Sequence, residues 1–302
     1  MNGTLYIVAT PIGNSEDITI RAKRVLAEAD LVAAEDTRTA HMLFSILGIR
    51  NETVSNHNFN EKRQVDFLLS ELESGKNVAI VSDAGTPCVS DPGAVIVKAA
   101  VERGINITGV CGASAVITAL SICGFYFNSF SFYGFLPRNA NDIKKAIEVA
   151  QLKHTAVSVF YESPKRIKKS FEVFADETPD AEFCLCNDLT KRYERVYRGA
   201  PRKILDELNS NPSAEKGEYT LVANFAKVKE TVIKSELSLE AMLIDHITKN
   251  NSTAKEAVNA LAKKYKGRYA KKEFYEASLN LRLMLTSSFL TDTMGVAEVD
   301  HA

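Results

Sequence analysis

Val78-Ala-Ile-Val81, followed by Ser82-Asp-Ala-Gly-Thr-Pro87 and Cys88-Val-Ser-Asp-Pro-Gly93, is the stretch whose reading decides the fold. Four consecutive apolar residues fit a strand buried on both faces, as parallel strands are. The turn formers after them must carry the chain across the end of the sheet. That edge is where open α/β sheets bind ligands. The loop holds two carboxylates, Asp83 and Asp91, with Gly85 and Gly93 free to adopt backbone angles that side chains disfavour, and no Lys or Arg. A phosphate would call for a cation, so the loop suits an uncharged or positively charged ligand.

The same pattern recurs on either side of that stretch. An apolar run at 5–9 stops at Thr10-Pro-Ile-Gly-Asn14, one at 31–34 runs into Glu35-Asp-Thr-Arg38, and a strand expected over 105–110 delivers Cys111-Gly-Ala-Ser-Ala115. Helical spacing predicts helices over 18–29, with Asp17 as cap, over 40–47, over 61–74 closed by Gly75, over 94–103 closed by Gly104, and from Ser114 to Gly124. The Glu35 loop fits a solvated turn or helix cap as well as it fits an active site, and Ser114 fits a cap. His41 and His57 are solitary and read as capping or packing residues. Val116 stands where a nucleophile elbow needs glycine, which excludes that serine hydrolase motif. G-x-G-x-x-G and Walker A patterns are absent. The loops therefore suit close backbone approach to a small ligand without phosphate anchoring.

From Phe125 the character changes. Phe125, Tyr126, Phe127, Phe130, Phe132, Tyr133 and Phe135 alternate roughly as a strand does, which favours core packing over base stacking. Leu136-Pro-Arg-Asn-Ala-Asn-Asp142 breaks the pattern before a helix over 143–152. A strand over 156–161 leads into Glu162-Ser-Pro-Lys-Arg166, where Pro164 suits a first helical turn and Glu162 and Ser163 its start. Further strands are expected over 183–186, through Val196-Tyr197, and over 219–223.

A chain of 302 residues and 33.2 kDa is long for a single core. Lys and Arg total 37 against 38 Asp and Glu, a formal charge of -1 that gives no global case for a nucleic-acid partner. Residues 227–285 differ, with 12 Lys and Arg against 7 Asp and Glu. Helices over 237–248, 252–265 and 271–285 fit either an appended nucleic-acid-binding module or a solvated helical cap. Residues 286–302 lack Lys and Arg and read as a disordered tail. Five cysteines without a C-x-x-C pair read as buried, inert thiols, with no disulfide framework and no metal site. With neither a signal peptide nor a spanning apolar run, the protein is expected in the cytoplasm.

The succession Thr10-Pro-Ile-Gly-Asn14, Glu35-Asp-Thr-Arg38, Ser82-Asp-Ala-Gly-Thr-Pro87, Gly112-Ala-Ser-Ala115, Phe132-Tyr-Gly-Phe-Leu-Pro-Arg138 and Phe160-Tyr-Glu-Ser-Pro-Lys-Arg166 resembles the tetrapyrrole methylase superfamily. Within it, the motifs resemble the branch that 2'-O-methylates a cytidine of 16S rRNA. Departures are Cys111, where the family usually has Pro, and Asn187-Asp-Leu-Thr-Lys191, where it usually has Arg-Glu. The resemblance implies an α/β, two-domain tetrapyrrole methylase-like fold over 1–124 and 125–226, with a small helical C-terminal domain over 227–302. It implies a homodimer and S-adenosyl-L-methionine bound in the interdomain cleft. The donor would meet Pro11 and Ile12, the loop Asp83, Ala84, Gly85 and Thr86, and Ser114 and Ala115. Tyr161, Leu189 and Glu218 or Tyr219 would approach from the second domain. Asp36, Arg38, Glu162 and Glu35 are the candidate catalytic groups, with no metal. Arg138, Lys165, Arg166, Lys191, Arg192 and the tail would hold 16S rRNA or the small ribosomal subunit. A tetrapyrrole methyltransferase and a non-catalytic RNA-binding assembly factor are the rival readings.

Overall fold

The computed structural model describes residues 2–57, 61–152, 157–225, 238–265 and 269–293. Strands β1 (Thr4–Val8), β2 (Leu31–Ala34), β3 (Thr53–Ser55), β4 (Val78–Val81) and β5 (Asn106–Val110) alternate with helices α1 (Ile20–Glu28), α2 (Thr37–Leu47), α3 (Glu61–Glu73) and α4 (Ala94–Glu102). Such crossovers return each strand in the same direction. The strands form one sheet in the order β3-β2-β4-β1-β5, every pairing parallel. β2 and β4 are buried along their whole length. Ala79 and Val81 pack into one core beneath α1 and α2, Val78 and Ile80 into another beneath α3 and α4. The turns after β1, β2, β4 and β5 consequently leave from one carboxyl edge.

The second sheet contains β6 (Phe130–Phe135), β7 (Val157–Glu162), β8 (Glu182–Asn187), β9 (Arg195–Gly199) and β10 (Tyr219–Asn224) in the order β6-β7-β10-β8-β9. β6 and β7 pair in parallel, and the remaining pairs are antiparallel. Helices α6 (Ala140–Leu152), α7 (Ile167–Glu177) and α8 (Pro201–Ser210) cover one face, over a core that includes Ile147, Phe160, Phe171, Phe174, Phe183 and Ile204. The other face, with Val157, Val159, Cys184 and Val222, receives Val116, Ala119 and Leu120 of α5 (Ala115–Ile122). The helix after β5 thus seals both halves together.

Several local expectations change. Thr19, not Asp17, caps α1 by accepting the Ala22 N–H at 3.0 Å, because Ser15–Asp17 forms a separate 3-10 turn capped by Asn14. α2 starts three residues earlier than expected, with Asp36 as its cap. Glu162 ends β7 and α7 begins only at Ile167, so Pro164 lies in the connecting turn. β3 and α8 were not anticipated, although Pro201 stands in the first turn of α8 and Ile204, Leu205 and Leu208 are its buried face. Cys123, Cys184 and Cys186 are buried, but Cys111 is exposed and Cys88 partly so, because both sit in loops at the carboxyl edge.

The chain divides into two compact units, Met1–Lys229 and Glu230–Ala302. In the second, α9 (Leu239–Asn250), α10 (Ala254–Lys264) and α11 (Lys271–Thr293) enclose Leu243, Val258, Leu261 and Phe274. Thr253 and Glu256 form a capping box at the start of α10. α11 continues to Thr293, into the stretch read as disordered, and 294–302 lie outside the described residues, as do Ala156 and the expected domain boundary at 226/227. Among the described residues, no helix is long and apolar enough to cross a membrane.

Candidate active site

The carboxyl edge of the first sheet is fastened by its backbone. Thr10 N–H donates to Gly85 O at 2.8 Å and Gly85 N–H donates back to Thr10 O at 3.1 Å, while the Thr10 hydroxyl donates to Ser82 O at 3.2 Å. Gly85 has a φ of 80°, and a Cβ there would stand 3.4 Å from Ile12 Cγ2. Thr86 Oγ1 donates to Ala113 O at 3.3 Å, joining the loops after β4 and β5. Cys88 and Ser90 hold positive φ values of 69° and 67°, each a cost of about 1–3 kcal/mol that the surroundings must offset.

These loops form one wall of a cavity of about 840 Å³. Of the residues singled out in the sequence, Ile12, Ala84, Gly85, Thr86, Ser114 and Ala115 line it from the first sheet. Tyr161, Glu162, Leu189, Glu218 and Tyr219 line it from the second. Pro11, Asp83, Glu35, Asp36 and Arg38 are not on its wall. Ser114 also caps α5, accepting the Ile117 N–H at 3.5 Å. The β1 loop meets the segment after β8 closely: Asn14 N–H donates to Thr190 Oγ1 at 3.0 Å, and a Cβ on Gly13 would come within 2.4 Å of Lys191 Cγ.

The Glu35 loop lies beside that wall and is tied to it. Asp36 N–H donates to Asp83 Oδ1 at 3.2 Å, and Asp83 N–H to Glu35 Oε2 at 3.4 Å. Asp36 itself is committed: it accepts the Arg38 backbone N–H at 2.8 Å and pairs with the Arg38 guanidinium at 2.6 Å, which holds its carboxyl down at about 2. Such a group is a feeble base. Burial pushes Glu35 and Asp83 up from ordinary carboxylate values, with neighbouring carboxylates adding to the effect. Asp91, on the cavity wall, is pushed up to about 6 by burial and then by Glu35, against a hydrogen bond from Ser82. Sequence identifies it as one of the loop's two carboxylates but not as a site residue, because its burial depends on how the loop folds back. Burial, with Asp91 and Glu218 nearby, raises Tyr161 to about 12 and keeps it a neutral phenol.

Glu162 has a fully buried carboxylate that is already saturated. It pairs with the Arg166 guanidinium, accepts the Ser163 N–H at 2.6 Å, and accepts the Ser170 hydroxyl. Arg166 in turn donates to Leu136 O at 3.3 Å and Pro137 O at 3.1 Å. Lys191 is held by Asp188 at 3.0 Å and Glu218 at 2.8 Å, and Lys165 stands 3.7 Å from Glu215. Arg192 lies over the Tyr193 ring. Arg138 is exposed. The aromatic run packs in part as expected: Tyr133 stacks on Phe160 and Phe125, Phe127 and Phe132 pack against buried apolar residues, but Phe130, Phe132 and Phe135 also line the cavity.

The wall chemistry fits a compact organic cation. Gly85, Gly112, the small residues Ala84, Ser114 and Ala115 and the partly buried Asp91 carboxylate line the cavity, and the loops after β1, β4 and β5 hold no Lys or Arg to attract phosphate.

The family model for tetrapyrrole (corrin/porphyrin) methylases matches residues 4–205. The ribosomal RNA small subunit methyltransferase I of Halalkalibacterium halodurans is 38% identical over 263 residues, 86% of this chain and 90% of that protein. The protein of the same name from Bacillus subtilis is 36% identical over 279 residues, covering 91% and 94%. In fold, the chain is similar to the cobalt precorrin-4 methyltransferase structure, with TM-score 0.53, 18% identity, and 74% of this chain and 95% of that one covered. A uroporphyrin-III C-methyltransferase of Thermus thermophilus solved with S-adenosylhomocysteine gives TM-score 0.51 at 14% identity, covering 74% and 97%.

Proposed function

The chain belongs to the tetrapyrrole (corrin/porphyrin) methylase family, and from that membership we propose that it methylates the ribose 2'-hydroxyl of a cytidine in 16S ribosomal RNA. S-adenosylmethionine is the donor and supplies a methyl group already activated on a sulfonium. The observation that carries the reading is the cation-free, carboxylate-flanked wall of the cavity, which suits a sulfonium and would repel a phosphate. Extensive identity with proteins named for ribosomal RNA favours that substrate over a porphyrinoid.

The protein's own groups divide the work. Ile12, Ala84, Gly85, Thr86, Ser114 and Ala115 hold the donor from the first sheet, Tyr161, Leu189, Glu218 and Tyr219 from the second, with Pro11 and Asp83 shaping the turns behind them. Positioning is the main contribution. Asp91 accepts the hydroxyl proton, since its raised pKa leaves it ionised yet basic near neutrality. The charge of Glu35 helps keep that pKa raised, Asp36 orients Arg38, and Glu162 orients Arg166. Arg138, Lys165, Arg192 and the basic C-terminal helices meet the RNA backbone. The halves 1–124 and 125–226 act as two domains sharing the cleft, in a cytoplasmic homodimer acting on the small ribosomal subunit.

Deleting the gene and mapping 2'-O-methylation along 16S rRNA tests this. One methylated cytidine is expected to disappear and to return with the restored gene. An unchanged map, or failure of the purified protein to bind S-adenosylmethionine in calorimetry, overturns the proposal.

A further inference from the structure

β6 does not keep the alternation of its sequence. Phe130 pairs with Val157 and Phe132 with Val159, but it is Phe135, not Gly134, that pairs with Tyr161. The register slips at Gly134, whose φ of 70° places one extra residue in the strand. A slip of one residue moves a side chain to the opposite face. Tyr133 therefore stays in the core, stacked on Phe160 at 5.0 Å, while Phe135 joins Phe132 on the cavity side. Both rings meet Tyr161 edge-on, at 5.0 Å for Phe132 and 5.4 Å for Phe135. Phe135 remains 60% exposed, so packing against the protein does not account for its position.

The surroundings restrict what the ring can receive. The strand end is fixed from behind, because Arg166, anchored on buried Glu162, donates to the carbonyls of Leu136 and Pro137 immediately after Phe135. Arg138, three residues on, is exposed beside this end of the strand. An open aromatic face, followed three residues on by an exposed arginine, matches a nucleobase together with its phosphate. The 2'-hydroxyl of a nucleotide within folded RNA reaches a cavity more readily when that nucleotide is turned out of its stack.

We propose that Phe135 is the platform on which the target nucleobase stacks, with Glu162 and Arg166 as positioning residues that hold the platform at the cavity mouth. This rests on the ribosomal RNA reading above.

The test compares Phe135→Ala and Phe135→Tyr with wild type in the full-length protein, using 16S rRNA as methyl acceptor. Donor affinity is followed by calorimetry and oligomeric state by sedimentation. Phe135→Ala is expected to raise the KM for rRNA about tenfold while S-adenosylmethionine affinity and sedimentation stay as in wild type, and Phe135→Tyr to restore the KM. An unchanged KM in Phe135→Ala, an equal loss of donor affinity, or a KM change that tracks dissociation of the protein would each overturn the proposal. A wild-type protein that binds donor but does not methylate rRNA would overturn the functional reading itself, and shows before any variant is read.

Discussion

On one side of the cavity, the loops after β1, β4 and β5 are joined by backbone contacts such as the reciprocal Thr10 and Gly85 hydrogen bonds, and their side chains are small or acidic. On the other side, β6 and β7 present rings, held by side-chain contacts running from Ser170 through Glu162 and Arg166 to the carbonyls after Phe135. The difference teaches where each wall is vulnerable. A wall built from backbone is damaged by adding atoms, and a wall built from side chains by removing them. On our reading the first serves a small donor approached closely, and the second adds, beside its own donor contacts at Tyr161 and Tyr219, the rings that position a larger acceptor from outside.

The largest expected effect falls where the walls share one reaction. Asp91→Asn should slow methyl transfer by about 100-fold or more while donor affinity holds, and the wild-type rate should rise with pH through about 6 and then level off. Full activity in Asp91→Asn would remove that residue from the chemistry. Next comes the backbone wall. Gly85→Val forces a β-branched residue into a φ of 80° and places atoms toward Ile12, so S-adenosylmethionine affinity should fall about tenfold with rRNA affinity unchanged. Equal losses for both ligands would dissolve the contrast between the walls.

The smallest effect on ligand binding should be on the side-chain wall, where the loss falls first on stability. Glu162→Ala leaves Arg166 without its carboxylate. Because that guanidinium side chain is 27% exposed, the loss of stability should be about 2 kcal/mol, below the cost of breaking a fully buried pair. Thermal unfolding would show it, accompanied by a higher KM for rRNA and unaltered donor binding. A weaker donor affinity instead would place Glu162 in the donor site.

The first sheet was legible because β1, β2 and β4 are built on continuous apolar runs, and parallel crossovers bring the following turns to one edge. The loops that carry Ile12 to Ala115 were legible for the same reason, and the individual residues through the family resemblance. The second wall was less so, because its pairing joins residues distant in sequence and a single slip at Gly134 reverses the face on which Phe135 sits. Alternation alone assigned that ring to the core. Nor could composition reveal that Arg38 closes onto Asp36, or that Glu162 is spent on Arg166, since both depend on side-chain geometry at the end of a strand. Asp91 was visible as a residue but not as a base, because its acidity is set by burial that only the folded loop creates.

The most direct measurement is transfer itself. The purified protein is incubated with S-adenosylmethionine carrying a deuterated methyl group and 16S rRNA or small subunits, and the RNA is digested for nucleoside mass spectrometry. The account predicts labelled 2'-O-methylcytidine from a single position. Label on a base, on a porphyrinoid offered in parallel, or nowhere in the RNA would contradict it.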